Sequence, residues 1–577
     1  MRVVLGGACA VVGVVLVLRP FTSLAVLVLV VGGGLIVAGV SELTGMSRAD
    51  PRWPVLAGGI ASIAAGVVVL VWPAITTRAL AAIVGVALVV GGVLDVARAI
   101  RGSTDERAAA TLSGVASVVF GVLALSWPTV TVLVVAVVFG ARLVIAGWRL
   151  AWGALHPDAG PAGDVPPADP LRRRRWRRVW HVVGAALSLV VALALAALSV
   201  AIHRGQPLVD AFYDAPDDVP AEPGALLRTE PFTRTIPDGA AAWRILYTTT
   251  RADGEAALAS ALVVVPDDRP DGPLPVVALA HGTTGIARNC APSVLPDPFA
   301  AGAFFVLDDV LAEGWAVVAT DYIGLGTAGP HPYLVGEPSA RAVLDAVRAA
   351  HVIDGVDLAD ETLVWGHSQG GGAALWTGMI APTYAPDTNV IGVAALAPAS
   401  DLIGLVDTLD DVVGGSIFAT YVVHAYADVY PDVRVADHVR PVARETSAAV
   451  AGRCLAEPGI LLSALGSLVL DMSGFRLGDG DSALFDRLAE NVPDGPIDAP
   501  LLIAQGEADG LILPTLQEGY VTARCAAGQA IDYRTYPDRG HVGLVEADSP
   551  LIAELLDWTR DRWAGRPATP TCAGRPG

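Results

Sequence analysis

The chain of 577 residues is 53% hydrophobic, too long for one ordinary domain and too apolar for a wholly soluble one. Its charge is divided: 17 arginines face 8 acidic residues up to Arg204, whereas the remainder holds 21 arginines against 50 acids, and no lysine occurs anywhere. So acidic a soluble part excludes nucleic acid as a partner, because binding phosphate needs clustered positive charge.

In chain order, apolar stretches at about 3–18, 22–41, 54–72, 78–97, 108–126, 129–148 and 179–202 are each long enough to cross hydrocarbon as a helix. Seven membrane spans are expected. The first six form three copies of one hairpin, since a short turn recurs at Arg19-Pro20, Trp72-Pro73 and Trp127-Pro128. Glycines follow each turn, at Gly32 to Gly34, Gly91-Gly92 and Gly140, and suit close helix packing in lipid. This pattern, over about residues 1–150, resembles the HdeD-type acid-resistance membrane proteins, a resemblance that implies no catalytic role.

Loop arginines set the orientation. Arg2, Arg48, Arg52, Arg98, Arg101, Arg107, Arg149 and the run from Arg172 to Arg178 fall on one side, which is therefore expected to be cytoplasmic, with the amino terminus. Residues 151–178 read as a Pro/Ala/Gly and Arg-rich cytoplasmic linker and 179–203 as a seventh transmembrane helix. After seven crossings, residues 204–577 are expected to emerge outside the cell membrane.

From about Leu208 the texture changes to short apolar runs alternating with helical stretches, the signature of an α/β protein with a mostly parallel sheet. ALASALVVVP, PVVALAHG, WAVVATDY, TLVWGHS, IGVAALAP, PLLIAQGEAD and IDYRTYP are the candidate strands. One of them runs into Gly366-His367-Ser368-Gln369-Gly370 and then a small-residue helix. Strand, sharp turn and helix around GxSxG form the elbow that exposes a nucleophilic serine. A serine hydroxyl needs a base and an acid that fixes the base's tautomer, and both lie downstream in the required order. Asp509 follows the strand PLLIAQ, with Glu507 as the alternative acid; His541 follows IDYRTYP, and the remaining histidines of the acidic part all precede the acid. Two backbone donors must also meet the developing oxyanion, and the amides of Gln369 and Thr283 are the candidates, the latter in the loop HGTTG after PVVALA.

Of the five cysteines, Cys9 sits in an apolar stretch, while Cys290, Cys454, Cys525 and Cys572 lie in the acidic part with no CxxC and no ligand-like histidine spacing. Neither a metal nor any other cofactor is expected. Four cysteines in an oxidising compartment allow two disulfides in any of three connectivities, with four buried thiols as the alternative.

The acidic half is similar to the secretory lipase family, the lipase A type of α/β-hydrolase. The motifs that carry this are DAFYDAPDDVPAEPGALLRTEPF, HGTTGIARNCAPS, DYIGLGTAGPHPYLVGEPSARAVLDAVRAA, GHSQGGGAALW and TYAPDTNVIGVAALAPASDL. The resemblance implies hydrolysis of carboxylic esters, with acylglycerols as the substrate class and no cofactor; the amino-terminal spans, a departure from a family usually secreted free, add the bilayer as a partner and membrane or envelope lipid esters as substrates to expect. The resemblance also implies a helical cap at about 401–496, in which GILLSALGSLVLDM could line an acyl-chain site, a Cys290–Cys454 disulfide tying cap to core, and Cys525 with Cys572 as the remaining pair. Two other functions stay open: an envelope acyltransferase using the same triad, and a membrane stress or transport protein carrying a non-catalytic hydrolase-like module.

Overall fold

The computed structural model describes residues 77–101, 104–127, 170–204, 207–268, 272–441, 443–456 and 482–572, with short pieces at 463–464, 470 and 472–477 and single helical positions between 7 and 67 and between 131 and 152. The chain divides into two units, one comprising Met1–Arg204 with Pro441–Thr446 and Leu468–Gly474, the other comprising the rest.

In the first unit the described helices are α1 (Thr77–Arg101), α2 (Thr104–Ser126) and α3 (Pro170–Arg204). Glycine makes the α1–α2 hairpin tight. Gly85 faces Gly121 and Gly92 faces Gly114, so the helices run antiparallel; a Cβ on Gly92 would lie 2.5 Å from the Gly114 carbonyl oxygen, and one on Gly121 2.7 Å from that of Gly85. Each pair of glycines is seven residues apart, which keeps both on one face of its helix. Val86, Val90 and Val93 point outward from α1, as Leu187, Val190 and Leu198 do from α3. Among the described residues, Arg107–Ser126 and Val179–Ala201 are long and apolar enough to cross a membrane, and Ala81–Ala97 is a shorter apolar helix. Two of the seven expected spans thus meet that test and a third is a shorter helix, whereas those at 3–18, 22–41, 54–72 and 129–148 lie mostly outside the described residues. Of the expected linker, residues 170–178 with the arginine run are helical as part of α3, and 153–169 lie outside the described residues.

The second unit is built on a nine-stranded sheet in the order β1-β2-β3-β5-β4-β6-β7-β8-β9. Its strands are β1 (Leu226–Pro231), β2 (Ala240–Thr250), β3 (Ala256–Pro266), β4 (Leu274–Ala280), β5 (Ala316–Ile323), β6 (Leu358–His367), β7 (Asn389–Leu396), β8 (Leu501–Gly506) and β9 (Asp532–Tyr536). β1, β2, β3 and β5 pair antiparallel, and from β5 through β4 to β9 every pairing is parallel. Such strands are covered on both faces, and their alternation shows it. Val276, Ala278 and Val364 join one buried cluster, while Val277, Leu279, Leu363 and Trp365 join the other. This mostly parallel mixed sheet with helices is the α/β-hydrolase arrangement expected from the sequence.

Helices α4 (Gly336–Ala350), α5 (Gln369–Tyr384) and α9 (Pro514–Ala526) connect successive parallel strands, and α10 (Pro550–Trp563) follows β9. Between β7 and β8 the chain leaves the sheet for an insertion holding α6 (Leu402–Asp407), α7 (Gly415–Val429) and α8 (Ala483–Glu490). Asp401 caps α6 by accepting from the Gly404 amide at 2.9 Å. The apolar stretch GILLSALGSLVLDM lies mostly outside the described residues.

Candidate active site

The turn from β6 to α5 is as sharp as the sequence demanded. Ser368 has φ 59° and ψ −121°, a left-handed backbone that a non-glycine residue holds only under constraint. The constraint is visible in its bonds, since its amide donates to the Leu396 carbonyl (2.9 Å) and its carbonyl accepts from Ala399 (3.0 Å). The flanking glycines answer to crowding rather than to φ: a Cβ on Gly366 would stand 2.0 Å from the Gly370 carbonyl oxygen, and one on Gly370 would stand 1.9 Å from that of Ala280. The serine side chain is thereby held out at the carboxyl end of the sheet.

There Ser368 Oγ lies 2.8 Å from His541 Nε2, and His541 Nδ1 lies 2.8 Å from Asp509 Oδ2. The buried Asp509 carboxylate also accepts from the amides of Leu511 (2.8 Å) and Ile512 (2.9 Å) and from Gln505 Nε2 (3.2 Å). A carboxylate can only accept, so His541 must carry its proton on Nδ1 and present a bare Nε2 to the serine hydroxyl. Glu507, the alternative acid, instead accepts from the Thr535 hydroxyl at 2.9 Å.

Gln369 begins α5, so its amide is among the donors that a helix's first turn leaves without an intrahelical acceptor. Its side chain donates to His331 Nε2 at 3.1 Å, and His331 Nδ1 donates to the Ile323 carbonyl at 3.0 Å. Burial pushes His331 down to about 3, which keeps that acceptor nitrogen bare. Thr283 lies in the loop after β4, its hydroxyl 3.0 Å from that of Tyr333. Several ties fix this loop: Gly282 N donates to Gly302 O (3.0 Å), Leu455 N to Thr284 O (2.8 Å) and Tyr322 Oη to His281 O (3.2 Å). Behind it, buried Asp321 accepts from Ser260 Oγ and from both the amide and hydroxyl of Ser293, and burial raises its pKa. A Cys290–Cys454 disulfide joins the loop to the insertion, and Cys525–Cys572 fastens the C-terminal tail.

A narrow pocket adjoins the nucleophile. Ser368, Gln369 and Tyr333 form one side; Leu405, Val406, Leu409, Phe418 and Val422 come from the insertion, and Leu511 and Ile512 from the turn that holds Asp509. Apart from the serine, glutamine and tyrosine, the lining is apolar, which sets a hydrocarbon-like surface beside a polar reacting centre. Three residues of this neighbourhood were not singled out from the sequence: Gln505, Tyr333 and His367, whose Nε2 lies 3.0 Å from the His541 carbonyl. Only His367 had a signal, its place inside GxSxG.

Residues 301–571 match the family model of the secretory lipases. The chain is 29% identical over 393 residues to a protein of Mycobacterium tuberculosis described as a probable inactive lipase, covering 63% of this chain and 84% of that one. It is 28% identical over 396 residues to a secreted triacylglycerol lipase of Malassezia globosa, covering 63% and 83%. Among solved structures, Candida antarctica lipase A shares the fold with a TM-score of 0.54 at 20% identity, over 63% of this chain and 87% of that one. Residues 4–60, 57–113 and 112–161 each match a short repeat of unknown function. Three tandem repeats are what the recurring turns implied, but the matched repeat carries no HdeD-type description. The C-terminal part of the chain is thus similar to secretory lipases and shares the fold of lipase A, and these similarities support the general class of ester hydrolases.

Proposed function

We propose that the chain is a membrane-anchored serine ester hydrolase, with its catalytic part outside the cell membrane and lipid esters such as acylglycerols as substrates. The observation that carries this reading is the unbroken line of hydrogen bonds Ser368 Oγ–His541–Asp509, 2.8 Å at each step. As Ser368 Oγ attacks the ester carbonyl carbon, its proton passes to His541 Nε2, and Asp509 stabilises the imidazolium. The carbonyl oxygen becomes an oxyanion, met by the amides of Gln369 and Thr283. Collapse of the tetrahedral species breaks the ester C–O bond, and the proton on Nε2 goes to the leaving alcohol. Water, deprotonated by His541, then attacks the acyl-Ser368 carbonyl; acid is released and the serine regains its proton.

The apolar lining of the pocket supports an acyl chain as the group transferred to Ser368. Anchoring is supported by the apolar helices Arg107–Ser126 and Val179–Ala201 and by the repeats at the amino-terminal end. A second reading, a non-catalytic hydrolase-like module on a membrane protein, draws on the similarity to a relative described as a probable inactive lipase. Labelling whole cells with a membrane-impermeant fluorophosphonate separates the two. The hydrolase reading expects label that disappears in Ser368→Ala. No Ser368-dependent label on folded protein would sink it, and label gained only after lysis would reverse the orientation.

A further inference from the structure

We infer that His367 is a positioning residue, whose Nε2–H grips the backbone carbonyl of His541 and so holds the His541 imidazole in line between Ser368 and Asp509. This inference rests on the triad assignment proposed above. The carbonyl can only accept, so at 3.0 Å the proton must sit on His367 Nε2. The two imidazoles also pack against each other, with centroids 4.6 Å apart at 41°. His541 is therefore held at three points: Nδ1 on Asp509, Nε2 on Ser368 and the backbone carbonyl on His367.

The turn that carries His541 has its own internal ties. Leu544 N donates to Gly540 O at 3.0 Å, Val545 N to Val542 O at 3.0 Å, and Arg539 pairs with Asp548 at 2.9 Å; Ala508 N reaches it from the Asp509 turn through Arg539 O at 3.0 Å. None of these comes from the nucleophile's side. Among the described residues, the His367 bond is the one that joins the elbow to the backbone of this turn, across a sequence separation of 174. A donor at this place must also be neutral, because an imidazolium forms on His541 in the proposed reaction and a second cation beside it would oppose that. Burial supplies the neutrality, pushing His367 down to about 3.

The test uses the full chain in detergent, with steady-state hydrolysis of a soluble p-nitrophenyl ester and the rate of fluorophosphonate labelling at Ser368. His367→Phe keeps a flat ring and removes the donor. Its kcat and labelling rate are expected to fall roughly ten- to hundredfold with KM within about twofold, the cost of a misplaced base rather than of lost substrate binding. His367→Gln restores a neutral donor and is expected to recover most of the loss, which a packing role alone would not predict. Should His367→Phe fail to fold, judged by tryptophan fluorescence, His367→Leu takes its place in the comparison. Equal rates in the phenylalanine and wild-type chains, or no advantage of glutamine over phenylalanine, overturn the inference while leaving Ser368 labelled. Absence of Ser368-dependent label in the wild type is a different failure, that of the triad reading itself.

Discussion

Two carboxylates stand two positions apart after β8, and their surroundings separate them. Asp509 is 3% exposed and has every acceptor site turned toward a donor, whereas Glu507 reaches out to a hydroxyl on the neighbouring strand. Asp509→Asn should keep the geometry yet offer an amide N–H to His541, flipping the imidazole tautomer so that Nε2 carries the proton and cannot accept one from Ser368. A loss of roughly 10⁴-fold in kcat with little change in KM is expected. Glu507→Gln should stay within about threefold of wild type, because it touches no reacting group. Steady-state hydrolysis of a p-nitrophenyl ester checks both, and the assignment of Asp509 fails if the two variants lose activity equally.

At the level of elements, β3 to β8 were legible because strands buried on both faces, the parallel ones and the antiparallel β3 alike, leave continuous apolar runs in the sequence, and β9 from its alternating Ile531, Tyr533 and Thr535 before a proline. β1 and β2 were not read. They form the antiparallel end of the sheet: β1 is half-buried to exposed, which dilutes its apolar signal, and β2, though largely buried, breaks its apolar run at Arg244 and ends in three threonines. Elbow, acid and base could be found because local motifs and chain order restrict them. The contacts of Gln505, Tyr333 and His367 depend on which distant loop folds against them, and spacing along the chain carries no record of that. Cysteine count alone likewise left three pairings open. The two disulfides in the structure should also differ in consequence. Replacing Cys290 and Cys454 by serine opens a closure spanning 164 residues and frees the loop that holds Thr283. A loss of about 2–4 kcal/mol and slower labelling of Ser368 are expected. Replacing Cys525 and Cys572, 47 residues apart, frees only the tail, where Thr571 donates to Ile531 at 2.7 Å. Thermal unfolding followed by tryptophan fluorescence, alongside labelling kinetics, tests this; an equal effect of both pairs on labelling would refute a special hold on the Thr283 loop.

For the second unit as a whole, acid is the condition to which the fold is exposed. His281 is pushed down to about 4 and His331 and His367 to about 3, each by burial in a fully packed site. Their ordinary value is 6.5, so the unfolded chain binds more protons than the folded one between about pH 6.5 and the folded values. Stability must therefore be full above pH 6.5 and fall as the pH drops through that window, by up to about 1.4 kcal/mol per pH unit for each histidine. Asp321 works in the opposite direction. Its pKa is raised, so the folded state takes up a proton before the unfolded one does and returns part of the loss. Elsewhere in the unit burial also lowers His424 and raises Asp345 and Asp428, while arginine partners hold Asp387, Asp432 and Asp548 low and so add to the loss in acid; decline should dominate. Denaturant midpoints of the full chain, read by tryptophan fluorescence from pH 7.5 down to 4.5, should decrease steadily below about pH 6.5, and His331→Asn should make the slope shallower by removing one of the three groups. A flat or rising profile over that range would mean that the buried imidazoles are reached by water and charge in place, which the close packing around the nucleophile contradicts.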